Sequence, residues 1–413
     1  MKLLVKISAL NLLLTSLIFA QSSNNRYIIF GDSLTDSGSD TSSQLLEKKG
    51  EEATRSIVFE GNNLLRNLGN NHWVLGDSLF SKPFQSAPIT SFNYADPTVA
   101  PKTWVNYLSQ EDQKTLVTYR SINNDFNTYL NNSKYNILFA AASAQSGNNF
   151  INDIDDYAIE TGLFPYVECT DEQYGTVKSL QPPVSCVPSV ITQVKRYTSL
   201  AKADNFKPDE NTKVIIWVGG NDVFGNIMKA FNVTKLDHKK LIAQLKAYHP
   251  SRLVKNIRTS VELLKDSGFK SSNIYVFALP NFKYVPAVRQ LIEGFSSPVQ
   301  STILSILSYV SNNYNNSIKK MALNNGANFF DIGSDLIDIV EHKENYKDYY
   351  TEFATDNSLS MCIDTISQPL NNKNMNFPLC EGFIFYNNMH PTTYTHKIIA
   401  DKFQQYLSTD STV

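Results

Sequence analysis

The sequence has little excess charge, few cysteines and no long apolar run beyond its first twenty residues. Lysine and arginine total 37 against 39 aspartates and glutamates, which leaves a formal net charge of −2. A nucleic-acid-binding protein normally carries a basic face, so this balance argues against one. No stretch after residue 20 approaches the roughly 18 consecutive apolar residues of a membrane-spanning helix, so we expect no integral membrane segment in the mature chain.

The first twenty residues differ in composition from the rest. Lys2 and Lys6 form a short basic start, residues 7–19 are mostly apolar, and Ala20 is small enough to precede a cleavage site. This pattern is typical of a secretory signal peptide. We therefore predict a signal peptide over residues 1–20 and a secreted mature chain, extracellular or periplasmic, that starts near Gln21.

All four cysteines lie in the predicted mature chain, at Cys169, Cys186, Cys362 and Cys380. Four cysteines allow three pairings, and the two close pairs favour local disulfides, Cys169–Cys186 and Cys362–Cys380. Neither a Cys-x-x-Cys spacing nor a nearby histidine pair occurs, so a zinc site is not expected.

Hydrophobic residues make up 42% of the 413 residues, enough for a packed core. Apolar runs typical of strands buried on both faces of a parallel sheet occur at residues 27–30, 136–142, 213–218, 273–279 and 327–332. Helical spacing separates the runs, at residues 190–200, 253–264, 299–323 and 397–407. Alternating strands and helices predict a doubly wound α/β fold.

Three polar or cysteine-containing stretches interrupt this alternation, at about residues 40–130, 152–188 and 345–385. With no internal repeat and no linker-like segment, we interpret them as insertions on one domain that spans residues 21–413. We expect this domain to act as a monomer.

Polar residues follow two of the predicted strands. Ser33, in the tetrapeptide Gly-Asp-Ser-Leu, comes directly after the first strand, and Asn221 comes after the third. His390 precedes the last helix. Ligands of open α/β sheets bind at the carboxyl ends of the strands, so a serine nucleophile, a histidine base and an amide donor to an oxyanion are expected to meet there.

The same tetrapeptide recurs around Ser78, inside a polar insertion. The first copy is the better candidate because it follows a strand. Asp32 and Asp222 are interpreted as braces for their loops, and the remaining histidines, His396 included, as surface or packing residues.

The segment from Phe30 to Gly38, then Gly219-x-Asn221-Asp222, then His390-Pro391-Thr392 occur in the order that resembles the GDSL (SGNH) hydrolases. The resemblance runs from residue 27 to about 405. It implies a flavodoxin-like three-layer α/β/α sandwich with a five-stranded parallel sheet, and ester hydrolysis without a cofactor or metal. Carried over by position, Ser33 is the nucleophile and His390 the base, while the Ser33 N–H and the Asn221 side chain bind the oxyanion.

The sequence departs from the family at two positions. A glycine that supplies a further oxyanion N–H is matched by Ala142, whose backbone can still donate. The aspartate three residues before the histidine is matched by Asn387, which can orient the imidazole but carries no charge. Asn387 can complete a Ser-His-Asn triad, or Ser33 and His390 can act as a dyad. Alternatively, another acid such as Glu381 substitutes, or catalysis has been lost.

The expected function is that of a secreted serine esterase. Acetyl esters of polysaccharides or oligosaccharides are the first substrate candidate, because secreted family members of this length resemble carbohydrate acetylesterases. Lipid esters, cleaved by a lipase or phospholipase or used by an acyltransferase, are the alternative. A secreted binding protein with an impaired triad is the alternative of another class.

Overall fold

The computed structural model of the protein describes residues 25–36, 66–67, 73–74, 103–118, 126–141, 144–147, 167–168, 186–234, 237–349, 359–362, 382–386 and 389–410. At its centre lies a six-stranded sheet. In chain order its strands are β1 Arg26–Gly31, β2 Thr115–Thr118, β3 Tyr135–Leu138, β4 Thr212–Trp217, β5 Ile274–Phe277 and β6 Asn328–Phe330.

Every neighbouring pair of strands in this sheet is parallel, in the order β6-β5-β4-β1-β3-β2. Without the edge strand β2, the remaining five have the order second, first, third, fourth, fifth along the chain. This is the flavodoxin-like doubly wound order, whose binding site lies where the winding reverses. Here the winding reverses between the carboxyl ends of β1 and β4.

All five strands expected from apolar runs are present, and the α/β sandwich is confirmed. The expected number of strands was wrong by one. The additional strand, β2, is only four residues long and lies in the polar stretch over residues 40–130. Its two threonines give it no continuous apolar run, so it lacks the signal that marks the strands buried on both faces.

Ten helices accompany the sheet in the described residues. They are α1 Trp104–Glu111, α2 Phe126–Leu130, α3 Val190–Ala203, α4 Gly220–Thr234, α5 His238–Ala247, α6 Ser251–Asp266, α7 Pro286–Ile292, α8 Ser297–Asn324, α9 Ile332–Glu341 and α10 Thr393–Asp410. The four helical stretches expected from sequence spacing lie within α3, α6, α8 and α10. Helices α1, α9 and α10 pack in one group, and α3, α5, α6 and α8 pack with α4 in another.

Shorter elements complete the described residues. Short 3-10 helices span Ser271–Asn273, Phe282–Tyr284 and Lys343–Tyr346. Two-residue strands pair Arg66–Asn67 with Trp73–Val74, and Val167–Glu168 with Cys186–Val187. Among the described helices, none combines the length and apolar character that crossing a membrane requires.

Aromatic side chains form the centre of the core beneath the sheet. Trp104 of α1 packs against Trp217 of β4 and Phe277 of β5, with ring centroids 5.9 and 5.2 Å apart. Phe403 of α10 lies 4.9 Å from Phe277. The Trp217 indole donates a 2.9 Å hydrogen bond to the Ala278 carbonyl, so its polar atom is satisfied inside the core. This packing fixes α1 and α10 against the strand ends.

Several predictions lie wholly or partly outside the described residues. The signal peptide over residues 1–20 falls outside them, as do most residues of the three predicted insertions. Cys362 is disulfide-bonded, and the side chains of the other three cysteines are not among those that the structure describes. Both disulfide pairings and the single-domain organisation therefore stay predictions.

Candidate active site

Ser33 lies in a tight turn directly after β1. The Asp32 carbonyl accepts hydrogen bonds from the N–H groups of Thr35 and Asp36, at 3.0 and 2.9 Å. The Asp32 carboxyl oxygen accepts a further bond from the Leu34 N–H at 3.0 Å. Asp32 is thus buried beneath the turn while Ser33 stays half-buried and reaches the surface of the site. The turn therefore presents the Ser33 hydroxyl at the carboxyl edge of the sheet.

His390 approaches from the segment that precedes α10. Its carbonyl accepts a 2.8 Å hydrogen bond from the Tyr386 N–H. Two buried threonines at the start of α10 hold the same segment, because Thr392 Oγ1 donates to the Phe383 carbonyl and Thr395 Oγ1 to the Ile384 carbonyl, both at 2.8 Å. The sequence pattern around His390 therefore encodes both the histidine and the hydroxyls that hold its loop.

The two predicted chemical groups meet. His390 Nε2 lies 2.8 Å from Ser33 Oγ, at hydrogen-bond distance, although 357 positions separate the residues along the chain. Burial lowers the pKa of His390 to about 4. The imidazole is therefore neutral at pH 7 and can accept the serine proton.

Asn221 reaches the same site from the start of α4. Gly219, before it, has a φ of +120°, a conformation that favours glycine, and this turns the chain out of β4. Asn221 Nδ2 donates a 2.9 Å hydrogen bond to the Ala144 carbonyl, in the loop after β3. The Asn221 amide is thus fixed beside Ser33, with which it lines a common cleft.

A buried polar network holds the loop after β3 against α4. The Asp222 carboxyl accepts hydrogen bonds from the Ser146 N–H at 3.0 Å and from Ser146 Oγ at 2.6 Å. Ser146 Oγ accepts in turn from Asn256 Nδ2 of α6, at 2.9 Å. Asp222 therefore connects the helix that carries Asn221 to the loop that contains the predicted Ala142 donor.

Both buried carboxyls near the site bind protons more tightly than free aspartates. Burial raises the pKa of Asp32 to about 7, and the charge of Asp222 adds to this effect. Burial also raises the pKa of Asp222 to about 6, although hydrogen bonds from Ser146 oppose the shift. The positions of both side chains agree with the interpretation that they brace the loops.

An apolar cleft extends from Ser33 and His390. It holds about 780 Å³ of empty space when the solvent in its open mouth is counted. Asp32, Gly220 and Asn221 form its polar end. Its remaining lining is mostly apolar and includes Leu34, Pro280, Phe282, Val285, Leu336, Ile337, Val340, Ile384, Phe385 and Met389. Such a lining suits a hydrocarbon chain better than a sugar.

Two structural elements supply most of the cleft wall. One is the segment after β5 with the 3-10 helix Phe282–Tyr284, and the other is α9. Tyr284 donates a hydrogen bond to Glu341 at the end of α9, which joins the two walls. Neither wall was predicted from the sequence as part of the site. The apolar positions 336, 337 and 340 have helical spacing, which does not distinguish a cleft wall from a core face.

Other sequence-predicted positions lie outside the described residues. These are the proposed oxyanion donor Ala142, the proposed triad member Asn387, the alternative acid Glu381 and the second serine Ser78. His396 is described, and it is buried on α10, as the packing interpretation expects. Burial and the nearby His390 lower the pKa of His396 to about 3, so it is neutral. Among the described side chains, no group of three or more His, Cys, Asp or Glu could hold a metal ion.

Comparison with known proteins gives one extensive match. The family model described as GDSL-like Lipase/Acylhydrolase matches residues 27–403. No curated protein is significantly similar to the chain. One similar solved structure is the crystal structure of phospholipase A1 from Streptomyces albidoflavus NA297, with 12% identity, a TM-score of 0.37 and coverage of 92% of this chain and 98% of that one. Another has 10% identity, a TM-score of 0.33 and coverage of 93% and 98%. At these TM-scores neither carries weight for function.

Proposed function

Because this chain belongs to the GDSL-like lipase/acylhydrolase family and is a carboxylic ester hydrolase, we propose that it cleaves lipid esters whose acyl chain occupies the apolar cleft. One observation carries the proposal: the lining of the cleft beside Ser33 and His390 is mostly hydrocarbon. Burying a methylene group contributes about 0.8 kcal/mol, so each further carbon that enters the cleft strengthens binding. An acetyl group would leave most of this surface uncovered.

The proposed catalytic roles are those predicted from the sequence, and the contact between Ser33 and His390 supports them. His390 Nε2 accepts the proton of Ser33 Oγ as the oxygen attacks the ester carbonyl carbon, and a tetrahedral oxyanion forms. The Ser33 N–H, the Ala142 N–H and the Asn221 amide stabilise its charge. Collapse of the intermediate expels the alcohol, which takes the proton from His390. Water, deprotonated by the same imidazole, then releases the acid and regenerates Ser33.

Chain-length dependence of ester hydrolysis tests the substrate class. We expect the kcat/KM for p-nitrophenyl esters to rise from acetate to octanoate or palmitate, and the turnover to disappear in Ser33→Ala. Ser78→Ala is the matched control, since it alters the other copy of the tetrapeptide and should leave turnover unchanged.

Other outcomes would favour the alternatives. A preference for acetate, followed by release of acetate from acetylated xylan, would favour the acetylesterase. Folded wild-type protein that turns over neither ester and does not react with a serine-directed phosphonate would favour a binding protein with an impaired triad. Transfer of the acyl group to an added sterol or sugar in place of water would indicate an acyltransferase.

We further propose that the protein is exported. The basic start, the apolar residues 7–19 and the disulfide at Cys362 support this. Sequencing the N-terminus of protein recovered from the medium or periplasm should identify Gln21 as the first residue. Recovery of only intracellular protein that starts at Met1 would contradict export.

A further inference from the structure

A fully buried glutamine forms two hydrogen bonds with the main chain just before Ser33. Gln193 of α3 accepts a 3.0 Å hydrogen bond at Oε1 from the Gly31 N–H, and its Nε2 donates to the Gly31 carbonyl at 2.9 Å. The same Nε2 lies 3.1 Å from the Pro188 carbonyl. Gly31 is the last residue of β1, two positions before Ser33. One side-chain amide thus pairs both polar groups of this residue.

The Gln193 amide takes the place of a backbone partner for Gly31, because β3 ends before it reaches that residue. Strands β1 and β3 pair at Ile28 with Ile137 and at Ile29 with Leu138, and the Phe139 N–H donates to the Ile29 carbonyl at 2.8 Å. At Gly31 no β3 carbonyl accepts the N–H, and Gln193 Oε1 accepts it instead. The Gln193 amide offers one acceptor and one donor, as a peptide group would.

The Gly31 carbonyl connects the two backbone segments that carry the proposed oxyanion donors. It accepts the Gln193 Nε2–H and also the Ala141 N–H, the latter at 3.1 Å. Ala141 directly precedes Ala142, and Asp32-Ser33 directly follow Gly31. On its other side Gly31 is equally confined, because a Cβ there would lie 2.7 Å from the Trp217 carbonyl. The position of Gly31 therefore fixes the start of the Ser33 turn relative to Ala141.

We infer that Gln193 is a positioning residue for the oxyanion site: through Gly31, it holds the turn that carries the Ser33 N–H in place relative to Ala141, in the loop after β3. The inference rests on the proposed acyl-enzyme function. Oxyanion donors act mainly in the transition state, so loss of their alignment should lower kcat and leave KM nearly unchanged. If Gln193 had a purely structural role, its replacement would lower the stability of the protein and leave kcat unchanged.

The chain offers a matched control at the opposite end of the same strand. Asn136 is also fully buried, and its Oδ1 accepts the Tyr27 N–H of β1 at 2.9 Å, while its Nδ2 donates to Ser109 Oγ. Gln193→Met and Asn136→Leu each replace a buried amide by an apolar side chain of similar shape. Both should lower the melting temperature. Only Gln193→Met acts near Ser33.

The experiment compares both variants on the best p-nitrophenyl ester and in the rate of Ser33 labelling by a fluorophosphonate, at a temperature where both are folded. Gln193→Met should lower kcat by about 10- to 100-fold, with KM within about twofold and labelling slowed in parallel. Asn136→Leu should keep kcat within about twofold. If Gln193→Met does not fold, Gln193→Glu replaces it, because a carboxylate keeps the acceptor for Gly31 N–H and loses the donor to the carbonyl.

The experiment distinguishes failure of the inference about Gln193 from failure of the proposed function. Equal kcat values for the Gln193 variant and the Asn136 variant, with wild-type protein active, would overturn the positioning role and leave the proposed function intact. Wild-type protein that neither turns over esters nor reacts with the fluorophosphonate would overturn both.

Discussion

His390 is the base in the proposed mechanism, and its protonation depends on its surroundings. Burial lowers its pKa to about 4, and Asn387 stands at the position that the family resemblance matches to an aspartate. A carboxylate close to the ring would stabilise the imidazolium and raise the pKa of His390. The low pKa predicts that His390 stays neutral, and able to accept a proton, well into the acid range.

This pKa predicts the acid side of the pH profile. We expect kcat/KM for an ester to decline with an apparent pKa near 4, because only neutral His390 accepts the Ser33 proton. Rates between about pH 3 and pH 8, with the released acid quantified by chromatography, measure it. A midpoint near the usual histidine value of about 6.5 would contradict the prediction.

Restoring the carboxylate tests how His390 is oriented. Asn387→Asp should move the acid limb upward by about 1–3 pH units, because a nearby negative charge stabilises the imidazolium, and activity at pH 7 should be kept or raised. Asn388→Asp, which adds the same charge one residue later, should leave the limb in place. If Asn387→Asp does not shift the limb and Asn387→Ala keeps its activity, Ser33 and His390 act as a dyad.

At the scale of the element, side-chain amides complete the ends of strands. Gln193 pairs with Gly31 after β1, and Asn315 of α8 pairs with Leu279 after β5, accepting its N–H at 2.8 Å and donating to its carbonyl at 2.9 Å. In each case one side chain of a helix pairs with both backbone polar groups of a residue at the end of a strand. The strand ends that border the cleft are thereby held by helices α3 and α8.

These amide contacts are features that could not be predicted from the sequence. The strands and main helices could be predicted because runs and periodicity are local signals. Gln193, Asn315 and the cleft wall could not, because glutamine and asparagine are mostly surface residues and their partners lie far away along the chain. Ser33, His390 and Asn221 were predicted as a group because each follows a strand or precedes a helix at the same edge of the sheet.

From the position of α9 in the cleft wall, we expect this helix to limit the length of the acyl chain that the cleft accepts. Leu336 is half-buried and lines the cleft, so Leu336→Trp should fill part of it. We expect kcat/KM for a p-nitrophenyl palmitate to fall about tenfold relative to the acetate, since about two methylene groups at roughly 0.8 kcal/mol each lose their place. Leu323→Trp, at a position on α8 that is 55% exposed, is the control. Equal losses for both esters would indicate general damage to the site.

At the scale of the whole molecule, two buried carboxyls beside the site affect the stability of the fold. Asp32 and Asp222 have pKa values of about 7 and about 6, above the ordinary 3.8. Because the folded state binds these protons more tightly than the unfolded state, their charged forms oppose folding. This effect is greatest above pH 7 and disappears as the pH falls towards 4.

A variant with a neutral side chain in place of Asp32 should therefore become more stable relative to the wild type as the pH rises. The melting temperature of Asp32→Asn minus that of the wild type should increase from pH 5 to pH 8, since only the wild type acquires a buried charge over this range. Thermal unfolding followed by circular dichroism measures the difference. Asp237→Asn is the control, because exposed Asp237 has a pKa below its usual value and is ionised across the range. A difference that stays flat for Asp32→Asn would contradict the raised pKa.

The 357 positions between Ser33 and His390 also matter during synthesis. The ribosome adds about 5–20 residues each second, so the base emerges roughly 20–70 s after the nucleophile. Until then, the growing polypeptide contains a serine that nothing deprotonates. Ester cleavage can begin only after nearly the entire chain has been translated and its last segment has docked.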